Sequence, residues 1–295
     1  MSIRVTRLPH NPIVRPEMDA RMGSNINGPS LIKVPCWVER PMGRYYLYFA
    51  HHLGTYIRLA YADELEGPWR IHEPGALDLT SSHFPVEAEP YGHIASPDVH
   101  VLDDEREIRM YYHGQLAGGP QRTRVAQSPD GLGFKAREEV LAHPYYRGFR
   151  HEDWHYGIAM PGIFYRSEDG LTGFEQGPQL FEPSMRHAAV MKRETTLFVF
   201  WTRVGDVPEH ILLSRVDLRP DWTEWTATPP EDILLPETDW EGAREPLVPS
   251  RRGAIMEPVN QLRDPCIFEE DDNVWLLYSV AGESGIAIAK VADAR

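Results

Sequence analysis

Cysteine is nearly absent from this chain: Cys36 and Cys266 are the two in 295 residues. So small a number excludes a disulfide framework, and each lies in an apolar, strand-like run where a free thiol behaves as a small buried hydrophobe. Long apolar runs are missing too, and nothing approaches the ~18 to 20 residues that a membrane span requires. Residues 1–11 hold no apolar stretch of the kind a secretory signal needs and read as strand then loop, so a cytoplasmic protein is expected. Positive charge is in deficit. Thirty basic residues against 44 acidic ones leave a formal charge of −14, a field that repels nucleic acid and anionic membrane and makes neither an expected partner.

What is present points to a folded, strand-rich chain. Hydrophobic residues make up 42%, with 8 Trp, 13 Tyr and 10 Phe, far from a disordered composition. Short apolar and aromatic runs alternate with turn residues, and helical period is scarce. Residues 30–38, 45–50, 56–62 and 69–72 form a first group of four runs, with a Pro41-Met42-Gly43 turn after the first. Four strands in about 45 residues is the size of one propeller blade.

The group recurs. Residues 98–102, 108–113, 123–128 and 134–137 make a second, and 145–149, 154–160, 162–167 and 174–176 a third. These two share a local repeat, Gln127-Ser128-Pro129-Asp130-Gly131 against Arg166-Ser167-Glu168-Asp169-Gly170, each followed by Phe134 or Phe174. Asp-Gly before an aromatic is a hairpin signal, because glycine supplies the positive φ of the turn. Residues 187–192, 197–203, 211–216 and 222–225 make a fourth group. The fifth has three runs, 264–269, 274–280 and 286–291, and a spare strand stands at residues 3–8. A ring of blades leaves no open edge if that strand completes the last blade. The expectation is an all-β chain, residues 1–295, folded as one five-bladed β-propeller domain closed by its N-terminal strand. Segments 73–96 and 228–263 are Pro-rich and long for links between blades, and are expected to wall the funnel mouth.

In a propeller the first strand of each blade lines the central channel, and the loops leading into these strands gather at one end. Those loops read Asn25-Ile26-Asn27-Gly28-Pro29-Ser30, Ala95-Ser96-Pro97-Asp98-Val99-His100, His143-Pro144-Tyr145-Tyr146-Arg147, Met185-Arg186-His187 and Leu262-Arg263-Asp264-Pro265. Two carboxylates, amides, tyrosines and an Arg-His pair facing one cavity suit a polyhydroxylated ligand, so a small carbohydrate is the expected partner. Asp98, Asp264 and His187 are the candidate catalytic residues. Asn27, His100, Tyr145, Tyr146, Arg147, Arg186, Arg263 and Glu257 are the candidate substrate contacts. Thirteen histidines raise a metal reading. None has a zinc spacing such as His-Glu-x-x-His, so no catalytic metal or cofactor is expected, and a structural cation such as Ca²⁺ in the channel is the one such reading left.

The tandem of short blades, with Ser96-Pro97-Asp98-Val99-His100 and Arg263-Asp264-Pro265-Cys266-Ile267, resembles five-bladed propeller glycosidases of family 43 and the related families 62, 117 and 32/68. The resemblance implies that Asp264 stands where the family keeps its general base and Asp98 where it keeps the aspartate that tunes the acid. The chain departs from the pattern in two places. Its Asp-Pro lies in the last blade and not the first, and the third blade opens on Pro144-Tyr145-Tyr146-Arg147, without the glutamate that serves as general acid. Glu257 and His187 are the substitutes for that acid. Two other readings stay open: a lyase using Tyr145 or Tyr146 with His187 and Arg147, and a propeller that binds carbohydrate without catalysis.

Overall fold

A computed structural model describes residues 3–88 and 91–292. Its strands, in chain order, are β1 Arg4–Arg7, β2 Asn27–Lys33, β3 Tyr45–Ala50, β4 Tyr56–Ala62, β5 Arg70–Asp78, β6 Ile94–Leu102, β7 Glu107–Gln115, β8 Gln121–Ser128, β9 Lys135–Ala136 and β10 Arg147–His151. The remainder are β11 Trp154–Ala159, β12 Ile163–Ser167, β13 Glu175–Gln179, β14 Met185–Arg193, β15 Thr196–Arg203, β16 Ile211–Asp217, β17 Glu231–Leu234, β18 Arg263–Glu270, β19 Asn273–Ser279 and β20 Ile286–Ala292. They form five antiparallel sheets of four, each running outward in chain order except the last, whose order is β18-β19-β20-β1. Arg4 pairs with Ala292 and Arg7 with Ala289, so the N-terminal strand is the outer edge of the fifth blade. The expected five-bladed, all-β propeller and its closure are both present.

The repeated turn acts as a clamp between blades. Ser128 Oγ accepts the Gly131 N–H at 2.9 Å, and Ser167 Oγ accepts the Gly170 N–H at 3.1 Å. Both glycines have positive φ, +76° and +68°, which a side chain would strain. The freed carbonyls point back at the preceding blade. Tyr48 Oη donates to Gly131 O and Tyr111 Oη to Gly170 O, each at 2.8 Å. Aromatic residues of the second strands therefore hold the next blade, with Phe134 packed edge-on to Tyr48; within the third blade Phe174 packs edge-on to Tyr146.

One predicted strand is something else. Trp222–Glu224 is a 3-10 turn capped by Asp221, which accepts the Thr223 N–H, and the edge of the fourth blade is β17, drawn from the long 228–263 segment. Trp222 and Trp225 turn inward and wedge against the third blade, where Trp225 lies 5.1 Å from the Tyr156 ring and 5.6 Å from that of Phe164. Burial of two indoles outweighs a few edge hydrogen bonds. The long segments are only partly walls. Residues 73–78 extend β5, and Glu89 and Pro90 lie outside the described residues. In the 228–263 segment, buried Glu241 accepts from Arg7 Nε at 2.8 Å and Tyr278 Oη at 3.0 Å and pins the closing strand. Its later part reaches the funnel, where Arg186 donates to Arg251 O and Asn25 to Ile255 O.

Candidate active site in the funnel

The innermost strands open on a shared device. In β2, β6, β14 and β18 the register slips between Asn27 and Ser30, Ala95 and Asp98, Met185 and Ala188, and Arg263 and Cys266. Each slip inserts one extra residue, a β-bulge that re-aims side chains at a strand end. Gly28, Ser96 and Asp264 occupy the same position of their bulges with φ of +61°, +47° and +47°, and Tyr145 at the head of the third blade has +59°. Left-handed backbone at three non-glycine residues is strain, and strain of this kind gathers at functional sites.

This register separates the two predicted carboxylates. Asp264 is equivalent to Gly28, Ser96 and Arg186, whereas Asp98 is equivalent to Ser30, Ala188 and Cys266. Asp98 therefore sits two residues further along its strand, roughly 6 to 7 Å deeper in the channel. There it accepts from His100 Nε2 and from the Gly148 N–H, both at 2.7 Å. Burial alone pushes its pKa up; His100, Arg147 and the Gly148 N–H outweigh it, and the carboxyl stays below its ordinary range. With Ser30, Arg147 and Cys266 it lines a channel space of about 100 Å³. Buried Arg147 spans the ring above it, donating to Ala188 O at 3.0 Å, Ser96 O at 3.2 Å and Tyr146 O at 3.1 Å. Among the described residues no group of three His, Cys, Asp or Glu has the geometry to hold a metal. Asp98 and His100 are spent on each other, with a guanidinium beside them, which is a poor donor set for a channel Ca²⁺, the one cation reading left open by the sequence.

Asp264 has different company. His187 Nδ1 lies 3.1 Å from its Oδ1 and 3.3 Å from its own N–H, and Ser279 Oγ donates to Oδ2 at 3.2 Å. Burial first, then the charge of Glu283, push its pKa up to about 6 against the pull of Arg186, Arg263 and Arg147. Burial and the neighbouring Arg186 and Arg263 hold His187 well below the usual imidazole range, so its ring is neutral. A neutral Nδ1 that accepts the backbone N–H bonds to Asp264 only if the carboxyl is protonated and donates. Tyr145 packs at a tilt against His187, 4.8 Å between ring centres and 46° between planes, and His113 against Tyr145 at 4.2 Å and 41°. Burial, then Asp264, raise the Tyr145 pKa, and His113 is buried with Nδ1 unpartnered.

Glu283 is the acid that the leading loops did not reveal. It accepts from Arg263 at 2.8 Å, Asn25 at 2.6 Å and Asn27 at 3.2 Å, with His52 Nδ1 3.3 Å away. Burial would raise its pKa, yet His52, Arg263 and Asn25 overcome it and hold it at about 2. Glu209, fully buried, lies 3.3 Å from Arg186 and 3.6 Å from Arg263 and keeps Oε1 without a partner. Glu209, Glu283 and His52 all sit in turns between second and third strands, the other set of loops at the funnel end. The expected contacts therefore divide. Asn27, Tyr145, Arg186, His187, Arg263 and Asp264 come together in the funnel; Asp98, His100 and Arg147 lie in the channel beneath. Tyr146 is buried between blades against Tyr111, and Glu257 is exposed on the 228–263 segment.

A five-bladed propeller with a polar funnel of this kind defines a recognisable class. A glycosyl hydrolase from Bacteroides ovatus superposes with a TM-score of 0.71 at 11% identity, covering 97% of this chain and 92% of that one. A family 43 β-xylosidase/α-arabinofuranosidase from a compost microbial metagenome, in complex with xylotriose, gives 0.60 at 14%, covering 98% and 94%. A structure described under the GH130 family of mannoside phosphorylases, with hydrolases that target β-1,2 mannosidic linkages, gives 0.65 at 12%, covering 97% and 93%. At such identities the likeness is one of fold. No protein-family model matches the sequence. An uncharacterised protein of Acanthamoeba polyphaga mimivirus is 34% identical over 320 aligned positions, covering 97% of this chain and 90% of the viral one. The chain belongs to the family of that viral protein.

Proposed function

We propose that the protein is a glycoside hydrolase that breaks a glycosidic bond of a small oligosaccharide in the funnel, with Asp264 as its proton donor. The observation that carries the reading is the Asp264–Glu283 pair: two buried carboxyls in one cluster, one pushed up to about 6 and the other held at about 2. Environments that push two acids apart assign their roles, a proton donor beside a permanent anion. Asp264 gives its proton to the leaving oxygen as the C–O bond breaks. Water supplies hydroxide to the anomeric carbon, and its remaining proton restores the acid. Tyr145, buried between His187 and His113, holds the His187 ring against Asp264. Arg263 and Glu283 are spent on each other and organise the floor. The donor role departs from the base role that the family 43 resemblance implies for this aspartate. The lyase reading loses support from Tyr145, because burial favours the neutral phenol over the phenolate that a base requires.

The test is turnover of nitrophenyl glycosides, xylotriose and β-1,2-linked mannobiose by wild type, Asp264→Asn and Asp98→Asn. Loss of a positioned proton donor is expected to cost Asp264→Asn about 10²- to 10⁴-fold, and Asp98→Asn less than tenfold. As a donor, Asp264 makes kcat/KM fall as pH rises through about 6. A rate that rises through that pH restores the base role, and undiminished turnover by Asp264→Asn rejects the site.

A further inference from the structure

A second cavity, of about 170 Å³, lies between the second and third blades at the end of the propeller opposite the funnel. Its position follows from the strands. Val101 and Leu102 are the last residues of β6, Gly148 to Arg150 follow the start of β10, and His155 and Tyr156 begin β11. Innermost strands of neighbouring blades pack side by side around the ring, and contact is sparsest between β6 and β10. The Asp98 carboxylate bridges that gap through the Gly148 N–H, and the cavity opens below the bridge.

The lining runs against the charge of the chain. In a protein of formal charge −14, this cavity is lined by Arg109, Arg150, His100 and His155 and by no aspartate or glutamate. Two carboxylates stand behind the wall: Glu107 on Arg109 Nε at 2.8 Å and Asp98 on His100 Nε2 at 2.7 Å. Arg150 has no carboxylate partner among the described residues; its guanidinium meets His155 Nε2 across the β10–β11 pair. A guanidinium that meets an imidazole and no carboxylate leaves its positive charge unanswered. The rest of the lining is Val101, Leu102 and Gly148 with the aromatics Tyr111, Phe149 and Tyr156, and Phe149 is stacked on Tyr156 at 5.6 Å and 19°.

We propose that this cavity is a second ligand site, which takes a small tetrahedral oxyanion carried on a ring, a phosphate or sulfate monoester. Arg150 supplies the charge-assisted contact to the oxyanion, with His100 and His155 beside it, and the aromatic wall takes the ring. The potential has a measurable trace. Burial, then Arg150, Arg109 and His100, push His155 down to about 4 against the opposing charge of Asp169, and a bound anion must lift it. The site is separate from the funnel chemistry and does not depend on it.

Calorimetry with phenyl phosphate, phenyl sulfate, inorganic phosphate and phenol tests the proposal on wild type, Arg150→Ala and Asp264→Asn. Phenyl phosphate or phenyl sulfate is expected to saturate, the better of the two identifying the oxyanion, with phosphate weaker and phenol silent. Arg150→Ala is expected to weaken binding at least about tenfold, the worth of one charge-assisted contact, and Asp264→Asn to leave it unchanged. The His155 imidazole midpoint, followed by NMR, is expected to rise when either ester is present. No saturation by either ester up to ~10 mM overturns the site, as does equal affinity in Arg150→Ala. Loss of binding in Asp264→Asn moves the ligand to the funnel and overturns it as well.

Discussion

Asp98 and Asp264 stand at openings that look alike in sequence, Ser96-Pro97-Asp98 and Arg263-Asp264-Pro265, yet they end in opposite electrostatic states. Asp98 accepts an imidazole and a backbone N–H and lies beside a guanidinium, so its pKa falls. Asp264 meets a neutral imidazole and the charge of Glu283, so its pKa rises to about 6. The cause is where each side of proline the aspartate stands. Before proline, at the bulge, the side chain enters the funnel; after it, the side chain enters the channel and joins two blades. The first suits proton transfer and the second suits scaffolding.

The comparison breaks most sharply at Glu283. Glu283→Gln takes from buried Arg263 its nearer anion and leaves Glu209 at 3.6 Å, and removing one partner of a buried pair is expected to cost about 3 to 5 kcal/mol. The same change removes the charge that ranks next to burial in raising Asp264, so the Asp264 pKa is expected to drop below 6. Urea unfolding gives the first quantity, and carboxyl NMR through the acid range gives the second. A cost under about 1 kcal/mol, in the range of a single exposed pair, shows that the anion does not anchor this cluster.

The propeller was legible because its devices are local. A Ser-x-Asp-Gly turn before an aromatic residue repeats in two blades, and a strand count one short in the last blade is matched by a spare one at the start. The edge of the fourth blade was not legible, since Trp222 and Trp225 read as strand residues until their indoles find the third blade. At the site, Asp264 and His187 were legible from the rule that leading loops converge. Glu283, Glu209 and His52 were missed because antiparallel strands return to the same end, so turns between second and third strands face the funnel too. Gly282-Glu283-Ser284-Gly285 reads as an ordinary hairpin. The leading loops are one ring at the funnel end, and Glu283 and Glu209 stand in the other.

The next effect is at Asp264 itself, in stability as a function of pH. Its native pKa of about 6 stands above the ordinary 3.8, so the folded state binds this proton more tightly. That contribution is complete below about pH 4 and is lost as pH rises through 6, about 3 kcal/mol in all. Asp264→Asn has no such loss. The variant is expected to match wild type near pH 4 and exceed it by up to ~3 kcal/mol at pH 8, read from urea midpoints. Glu283, held at about 2, runs the other way, its contribution present above 4.5 and lost as pH falls. A gap between wild type and variant that widens toward acid reverses the assignment of Asp264.

Asp98 supplies the smallest and opposite change. Its native pKa is below the ordinary carboxyl value, so its stabilisation is present near neutrality and is lost as pH falls through that lowered native value. Asp98→Ala also strands the Gly148 N–H, the bridge between the second and third blades, and a buried donor left unmade is expected to cost about 1 to 3 kcal/mol at pH 7. Asp98→Asn keeps an acceptor for that N–H and is expected to recover part of the cost. The two aspartates therefore tilt the pH–stability curve in opposite directions, and substituting either exposes the slope of the other. Hydrogen exchange at Gly148 localises the effect: it is expected to quicken in Asp98→Ala and to stay slow in Asp264→Asn. Equal protection in both variants removes the bridge, and with it the structural reading of Asp98.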